Sequence, residues 1–263
     1  MNKSAKFISR SKKIASYPRG AGPAGRRFAM GMQLEALGTI LAPWPRRHSP
    51  LLEVNCGNGA FLHFLWQCGF DVQASEADPE LRLKACKQPV PELEIHAAQD
   101  TDLPFENDAF DWVIIHLKSE DASTIRECAG EAARLAKRGF LITFWNSASL
   151  PACIWKMSHK KTWSENAIPW WRLWRLLHSM KLGHISCVST LMAPMELWQR
   201  QWRLGGSSVL PFGAWCAIRL DLGPATPGTP MPLRLGAVLS RPEPALEHFN
   251  NEIASSNPSG KRV

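Results

Sequence analysis

Residues 50–61 read PLLEVNCGNGAF, a short apolar run that carries Glu53 and passes into the turn Asn55-Cys56-Gly57-Asn58-Gly59 before a helix-like pattern begins. Glycines in such a turn let the backbone approach a ligand closely, and the free amides of the following helix suit a carboxylate or phosphate. A second acid, Glu76, followed by Ala77, ends the next apolar run. His116 ends the fourth, where an imidazole could take a proton from a hydroxyl acceptor or simply pack there. A dinucleotide loop would need a third glycine where Leu62 stands, which argues against nicotinamide or flavin binding. Asn55 stands where a glycine would be expected. Asparagine is one of the few other residues that readily adopt positive φ, so the turn can survive, but its side chain must then either bond to something or obstruct.

These residues need a scaffold that brings strand ends together. "PLLEV" predicts a strand and "GAFLHFLWQCGF" a helix closed by Gly69. "DVQASEA" predicts a second strand, and "DPELRLKACKQ" a helix capped by Asp78 with Pro79 at its first position. "LEIHAA", "DWVIIHL" and "FLITFWN" continue the strands, with the helix "SEDASTIRECAGEAARLAKRG" stopped by Gly139. Alternation of this kind implies a doubly wound, mostly parallel α/β sheet, with ligands at the carboxyl ends of its strands. "HISCVSTLM" and "GAWCAIRLDL" add two later strands, seven in all, with a helical piece around "MELWQRQWRL" between them. Ahead of the sheet, "RFAMGMQLEALGTILAP" from Phe28 predicts a helix ended by Pro43 and Pro45.

Three ordered motifs resemble the class I S-adenosylmethionine-dependent methyltransferases, in particular the branch that includes ubiquinone-biosynthesis-type enzymes. Glu53 to Gly59 match the family's acid, small apolar residue and G-x-G-x-G except at Asn55. Glu76 stands at the acid that ends the second strand, with Asp78-Pro79-Glu80 like the usual S-P-E, and "AAQDTDLPFENDAFDWVII" follows the later D-L-P-F stretch. The resemblance covers about Leu51 to Asn146 and implies a Rossmann-like methyltransferase fold with S-adenosyl-L-methionine as cofactor. It implies that Glu53, Asn55, Cys56, Gly57 and Gly59 surround the methionine part, that Glu76 and Ala77 hold the ribose, and that Gln99, Asp100 and Thr101 face the adenine. Gln99 replaces the family's usual aspartate there, and an amide oxygen can still accept from the adenine amino group. No (D/N)PPY follows the fourth strand, where "IIHLKSED" stands, so methylation of base amines or glutamine is disfavoured. The expected activity is methyl transfer to a small or apolar acceptor (EC 2.1.1.-). A non-catalytic binding or scaffold protein of the same fold is the rival.

The 263 residues suit one domain with tails. The expected domain spans 28–222, with a tryptophan-rich helical insertion at about 147–182. That insertion could line an acceptor pocket, form a buried stripe, or, through Arg172, Arg175 and Lys181 on the helix 170–182, touch a membrane surface. The formal charge of +8 belongs to residues 1–27, which hold eight bases and no acid. Beyond them 23 bases balance 23 acids, so nucleic acid is disfavoured as a partner. The basic segment is expected to be a disordered arm, with a contact to nucleic acid or anionic lipid and a transit peptide as competing readings. Residues 223–263 are expected to form a proline-rich, partly disordered tail. Seven dispersed cysteines lack the spacing of a zinc site and are read as reduced thiols, with no metal expected. No apolar run reaches the length of a membrane span, and a cytoplasmic protein is expected.

Overall fold

The computed structural model describes residues 17–18, 21–159, 163–164, 166–198, 200 and 206–223. The expectations for the basic segment before residue 17 and the proline-rich segment after residue 223 lie outside the described residues.

Seven strands form one sheet: β1 (Pro50–Val54), β2 (Asp71–Ser75), β3 (Glu94–His96), β4 (Phe110–His116), β5 (Ala136–Trp145), β6 (His184–Thr190) and β7 (Trp215–Asp221). Their order is β3-β2-β1-β4-β5-β7-β6. β7 runs antiparallel to both its neighbours, and the other pairings are parallel. The doubly wound α/β class expected from the alternating pattern is therefore the observed one. Strand order reverses between β1 and β4, and that reversal opens a crevice at their carboxyl ends.

The helices are α1 (Pro23–Leu41), α2 (Leu62–Gln67), α3 (Pro79–Ala85), α4 (Ala122–Leu135), α5 (Leu150–His159), α6 (Trp170–Met180) and α7 (Met195–Trp198). Strand side chains alternate between two cores, as a pleated strand requires. Leu51, Ile114 and Leu141 pack with Leu37 and Leu41 of α1 and Leu62 and Leu65 of α2. Leu52, Val113, Ile115 and Ile142 pack with Ile125 and Ala129 of α4 and Leu173 and Leu177 of α6 on the other face. Among the described residues, no helix is long and apolar enough to cross a membrane.

Local chemistry sets the boundaries. Asp78 caps α3 by accepting from the amides of Glu80 (2.8 Å) and Leu81 (3.3 Å), and Pro79 follows at the first helical position. α1 begins at Pro23, five residues before Phe28. Gly139 is not the helix stop that its position suggested. α4 ends at Leu135 and Gly139 lies inside β5, where an added Cβ would stand 2.4 Å from the Leu220 carbonyl oxygen of β7. Close approach of a neighbouring strand, rather than helix termination, is what the glycine serves.

The two outer strands are protected differently. β3 is three residues long and carries Glu94 and His96, 3.7 Å apart. β6 gives part of its outer edge to Ser208, whose amide and carbonyl bond those of Ser189 at 2.8 and 2.7 Å.

The loop entering β4 is held from two sides. Leu103 and Phe110 are buried, and Phe105 packs edge-on against Phe110 with ring centroids 5.0 Å apart. Arg134 of α4 donates to the carbonyls of Phe105 (2.8 Å) and Leu103 (3.2 Å) while forming a forked pair with Glu131 at 2.7 and 2.9 Å. Arg134 holds the Glu131 carboxyl below its usual pKa. The associated stability is present above the unfolded carboxylate pKa and fades as pH falls through the lower folded value. Arg134→Ala should lower stability by about 1–2 kcal/mol at neutral pH. It should also reduce the loss on the acid side, and urea unfolding at pH 7 and below pH 4 checks both.

Candidate active site

Three strands deliver three polar side chains to one point. Glu53 on β1, His116 on β4 and Thr143 on β5 share strand parity with Leu51, Ile114 and Leu141, so all three face the α1 side of the sheet. His116 and Thr143 are also register partners across β4 and β5. His116 Nε2 lies 2.8 Å from Glu53 Oε1, and Nδ1 lies 2.6 Å from Thr143 Oγ1. Glu53 is fully buried and its second oxygen, Oε2, has no hydrogen-bond partner. The Phe61 ring stacks on the imidazole with centroids 5.1 Å apart.

Beside this line, the turn after β1 takes its shape from three left-handed residues, Asn55 (φ 60°), Gly57 (63°) and Gly59 (77°). The Asn55 side chain points back into the protein. Its amide donates to Asp100 Oδ2 (2.8 Å) and to the His116 carbonyl (3.0 Å), tying the turn to the loop after β3 and to the end of β4. Gly57 is open on its Cα side, with nothing within 4 Å of an added Cβ, whereas one on Gly59 would meet Gln88 and Leu62 at 2.8 Å. The first glycine keeps a surface free, and the second admits close packing.

Glu76 is buried just beyond β2 and is saturated with donors. It accepts from the Gly57 amide (2.8 Å), the Asp78 amide (3.0 Å) and the Lys118 ammonium, which reaches both oxygens at 2.8 and 2.7 Å. Lys118, two residues beyond His116, carries no motif that marks it in sequence. Ala77 and Gln99 are exposed; Gln99 bridges to Asp102, and Thr101 is half-buried. Cys56 lies in the turn with its thiol pushed well above the usual range by burial and by Glu53 and Glu76.

The turn, His116, Lys118 and Thr143 border a cavity of about 450 Å³ at the carboxyl ends of β1, β4 and β5, whereas Glu53, Gly59, Glu76, Ala77, Gln99, Asp100 and Thr101 do not line it. One wall is the turn, with Asn55, Cys56, Gly57 and Asn58. The floor is His116 and Thr143. The far wall comes from Tyr17, from Arg26, Met30 and Gln33 of α1, and from Trp145 and Trp215. The contribution of α1 was not legible in the sequence, because it depends on how that helix lies over the sheet.

The tryptophans of the insertion are used otherwise. Trp155 and Trp163 form an edge-to-face row with Trp198 of α7, centroids 6.3 and 6.2 Å apart, inside the core. Trp170 and Trp174 of α6 pack beside buried Leu173 and Leu177, leaving Trp171 outward at 44% exposure. All seven cysteines are free, and the described residues hold no cluster suited to a metal ion.

Residues 52–144, which supply β1, the turn, Glu76, His116 and Thr143, match the model of the family described as a methyltransferase domain. Over that segment the chain is similar to a methyltransferase domain. No curated protein sequence matches the chain. Among solved structures, a SAM-dependent methyltransferase from Thermotoga maritima, described as a possible histamine N-methyltransferase, superimposes with a TM-score of 0.60 at 18% identity, over 76% of this chain and 91% of that one. The magnesium protoporphyrin IX methyltransferase of Synechocystis with bound SAH gives 0.53 at 12% identity, over 83% and 95%. A SAM-dependent methyltransferase from Aquifex aeolicus gives 0.52 at 15%, over 82% and 98%. At these identities the likeness establishes the fold.

In this fold Asn55 is a stitch between three segments. Asn55→Gly keeps the backbone conformation but removes both side-chain bonds, so stability should fall by about 1–2 kcal/mol. Thermal unfolding of the variant beside Asn55→Asp separates loss of the amide donor from loss of the whole side chain.

Proposed function

We propose that the protein transfers a methyl group from S-adenosylmethionine to a small acceptor held between α1 and the ends of β4 and β5. The observation that carries the reading is a single cavity that adjoins both the glycine turn after β1 and a separate aromatic wall. One side suits a cofactor and the other an acceptor.

The residues fit the cofactor. Gly57 leaves open space where a side chain would intrude, and its amide already bonds Glu76. Glu53 keeps a buried carboxylate oxygen without a partner beside the same turn. In this reading the turn from Glu53 to Gly59 holds the methionine part, Glu76 and Ala77 the ribose, and Gln99 and Thr101 the adenine. Asp100 supports the turn through Asn55. The cofactor would supply an electrophilic methyl carbon on a sulfonium, for which correct placement of the nucleophile is the main demand.

The state of Glu76 adds a condition. Its carboxylate is filled by two backbone amides and Lys118, and the lysine is the one donor of the three that can leave without moving the main chain. A ribose diol would replace the ammonium there, and Lys118 would turn toward solvent or the acceptor.

Calorimetric titration of the full chain with S-adenosylhomocysteine tests the reading. Micromolar binding is expected, weakened at least about tenfold in Glu76→Gln, which corresponds to about 1.4 kcal/mol. Absence of binding would overturn it and favour a scaffold role for the fold.

A further inference from the structure

A methyl acceptor with an N–H or O–H must lose a proton during or after transfer, and the demand is greatest for a neutral hydroxyl, whose oxygen is a poor nucleophile while it keeps its proton. The protic groups around the cavity differ in their ability to meet that demand. Tyr17 is pushed up to about 12 by burial and donates to Gln33 Oε1 at 3.2 Å, so it holds its proton. Cys56 is pushed well above the ordinary thiol range, so it is no thiolate. Lys118 is an ammonium paired with Glu76, and whether it stays there or turns away it has three donors and no acceptor for a proton. His116 borders the cavity, yet both its ring nitrogens are engaged, by Glu53 on one side and Thr143 on the other.

The geometry points to a proton relay, and we propose that the acceptor is an aromatic hydroxyl whose proton passes to Thr143 Oγ1 and from there to His116, with Glu53 holding the imidazole. This rests on the methyl-transfer reading above. An ionised carboxylate can only accept hydrogen bonds, so with Glu53 ionised His116 Nε2 donates to it and Nδ1 is left as the acceptor for the Thr143 hydroxyl. Thr143 borders the cavity and Glu53 lies behind the imidazole with no solvent exposure. The chain thus runs from cavity to core as hydroxyl, imidazole, carboxylate.

The balance of the step is simple. The acceptor oxygen's lone pair forms the new C–O bond, the S–C pair stays on sulfur, and the acceptor proton goes to Thr143 Oγ1 as the threonine proton goes to His116 Nδ1. Thr143 ends unchanged, and His116 ends as an imidazolium against the Glu53 carboxylate. The buried carboxylate both fixes the ring and stabilises the charge it gains. An aromatic acceptor is favoured by the wall that faces Thr143. Tyr17 packs against Trp145 (centroids 5.5 Å apart) and Phe61 against Trp215 (6.5 Å), and all four border the cavity, so they present aromatic surface to a planar apolar acceptor.

Two measurements on the full chain test the proposal. The first needs no acceptor: long-range proton–nitrogen NMR of the His116 ring, assigned with His116→Gln, in the presence of S-adenosylhomocysteine. A protonated Nε2 and bare Nδ1 are expected, with Thr143→Val shifting Nδ1 while Nε2 keeps its proton. A proton resident on Nδ1 would overturn the relay, because the ring could not then take the threonine proton. The second follows tritiated methyl transfer from S-adenosylmethionine to phenol, catechol, benzylamine and benzoate. Transfer to the hydroxyl probes is expected, with kcat about 10²-fold lower in Thr143→Val, rising with pH as hydroxide replaces the relay, and recovered in Thr143→Ser. Preference for the amine or the carboxylate, an unchanged kcat in Thr143→Val, or no hydroxyl transfer while S-adenosylhomocysteine binds normally would each sink it. Loss of S-adenosylhomocysteine binding in the wild type instead sinks the parent reading, and the ring protonation still reports on the relay by itself.

Discussion

A carboxyl side chain with no solvent exposure, Glu53, sits near the carboxyl end of β1. Removing its ionised form from solvent costs several kcal/mol, and only a well-placed partner offsets it. Glu53 meets that constraint through His116, which in turn is held by Thr143 and stacked under Phe61. The requirement reaches outward from there. β1, β4 and β5 must keep the register that brings the three side chains together, and the turn after β1 must not swing away. Asn55 ties that turn to the end of β4 and to the loop after β3.

Strand and helix order could be read from alternation and caps because both depend on neighbours in sequence. Asp78, Pro79 and the glycine turn behave as local rules require. Gly139 misled for a physical reason: a glycine just past a helical run suits helix termination and close strand approach equally, and only the position of β7 decides between them. The parity of Glu53, His116 and Thr143 was in principle available from the strand pattern. Thr143, however, looks like any other strand residue until β4 and β5 are paired. Lys118 and the α1 residues lacked even that signal, since their roles arise from side chains reaching across elements.

The tryptophans divide by depth. Trp145 ends β5 and its register partner Trp215 begins the antiparallel β7, so both border the cavity, while Trp155, Trp163 and Trp198 form a row within the core. A count of aromatic residues along the insertion cannot distinguish these uses, because both the site and the core favour large flat side chains. What separates them is position along the sheet: the pair at strand ends borders the cavity, and the row lies in the core beyond them.

The sheet's two borders bear on how the protein behaves in company. An open strand edge invites pairing with another chain, and long flat apolar edges are the ones that seed assembly. Here one border is a three-residue strand carrying Glu94 and His96, and the other has part of its hydrogen-bonding row taken by Ser208. Among the described residues, one border is short and charged and the other is interrupted at Ser189, which shortens the run of unpaired backbone that the folded molecule presents to another chain.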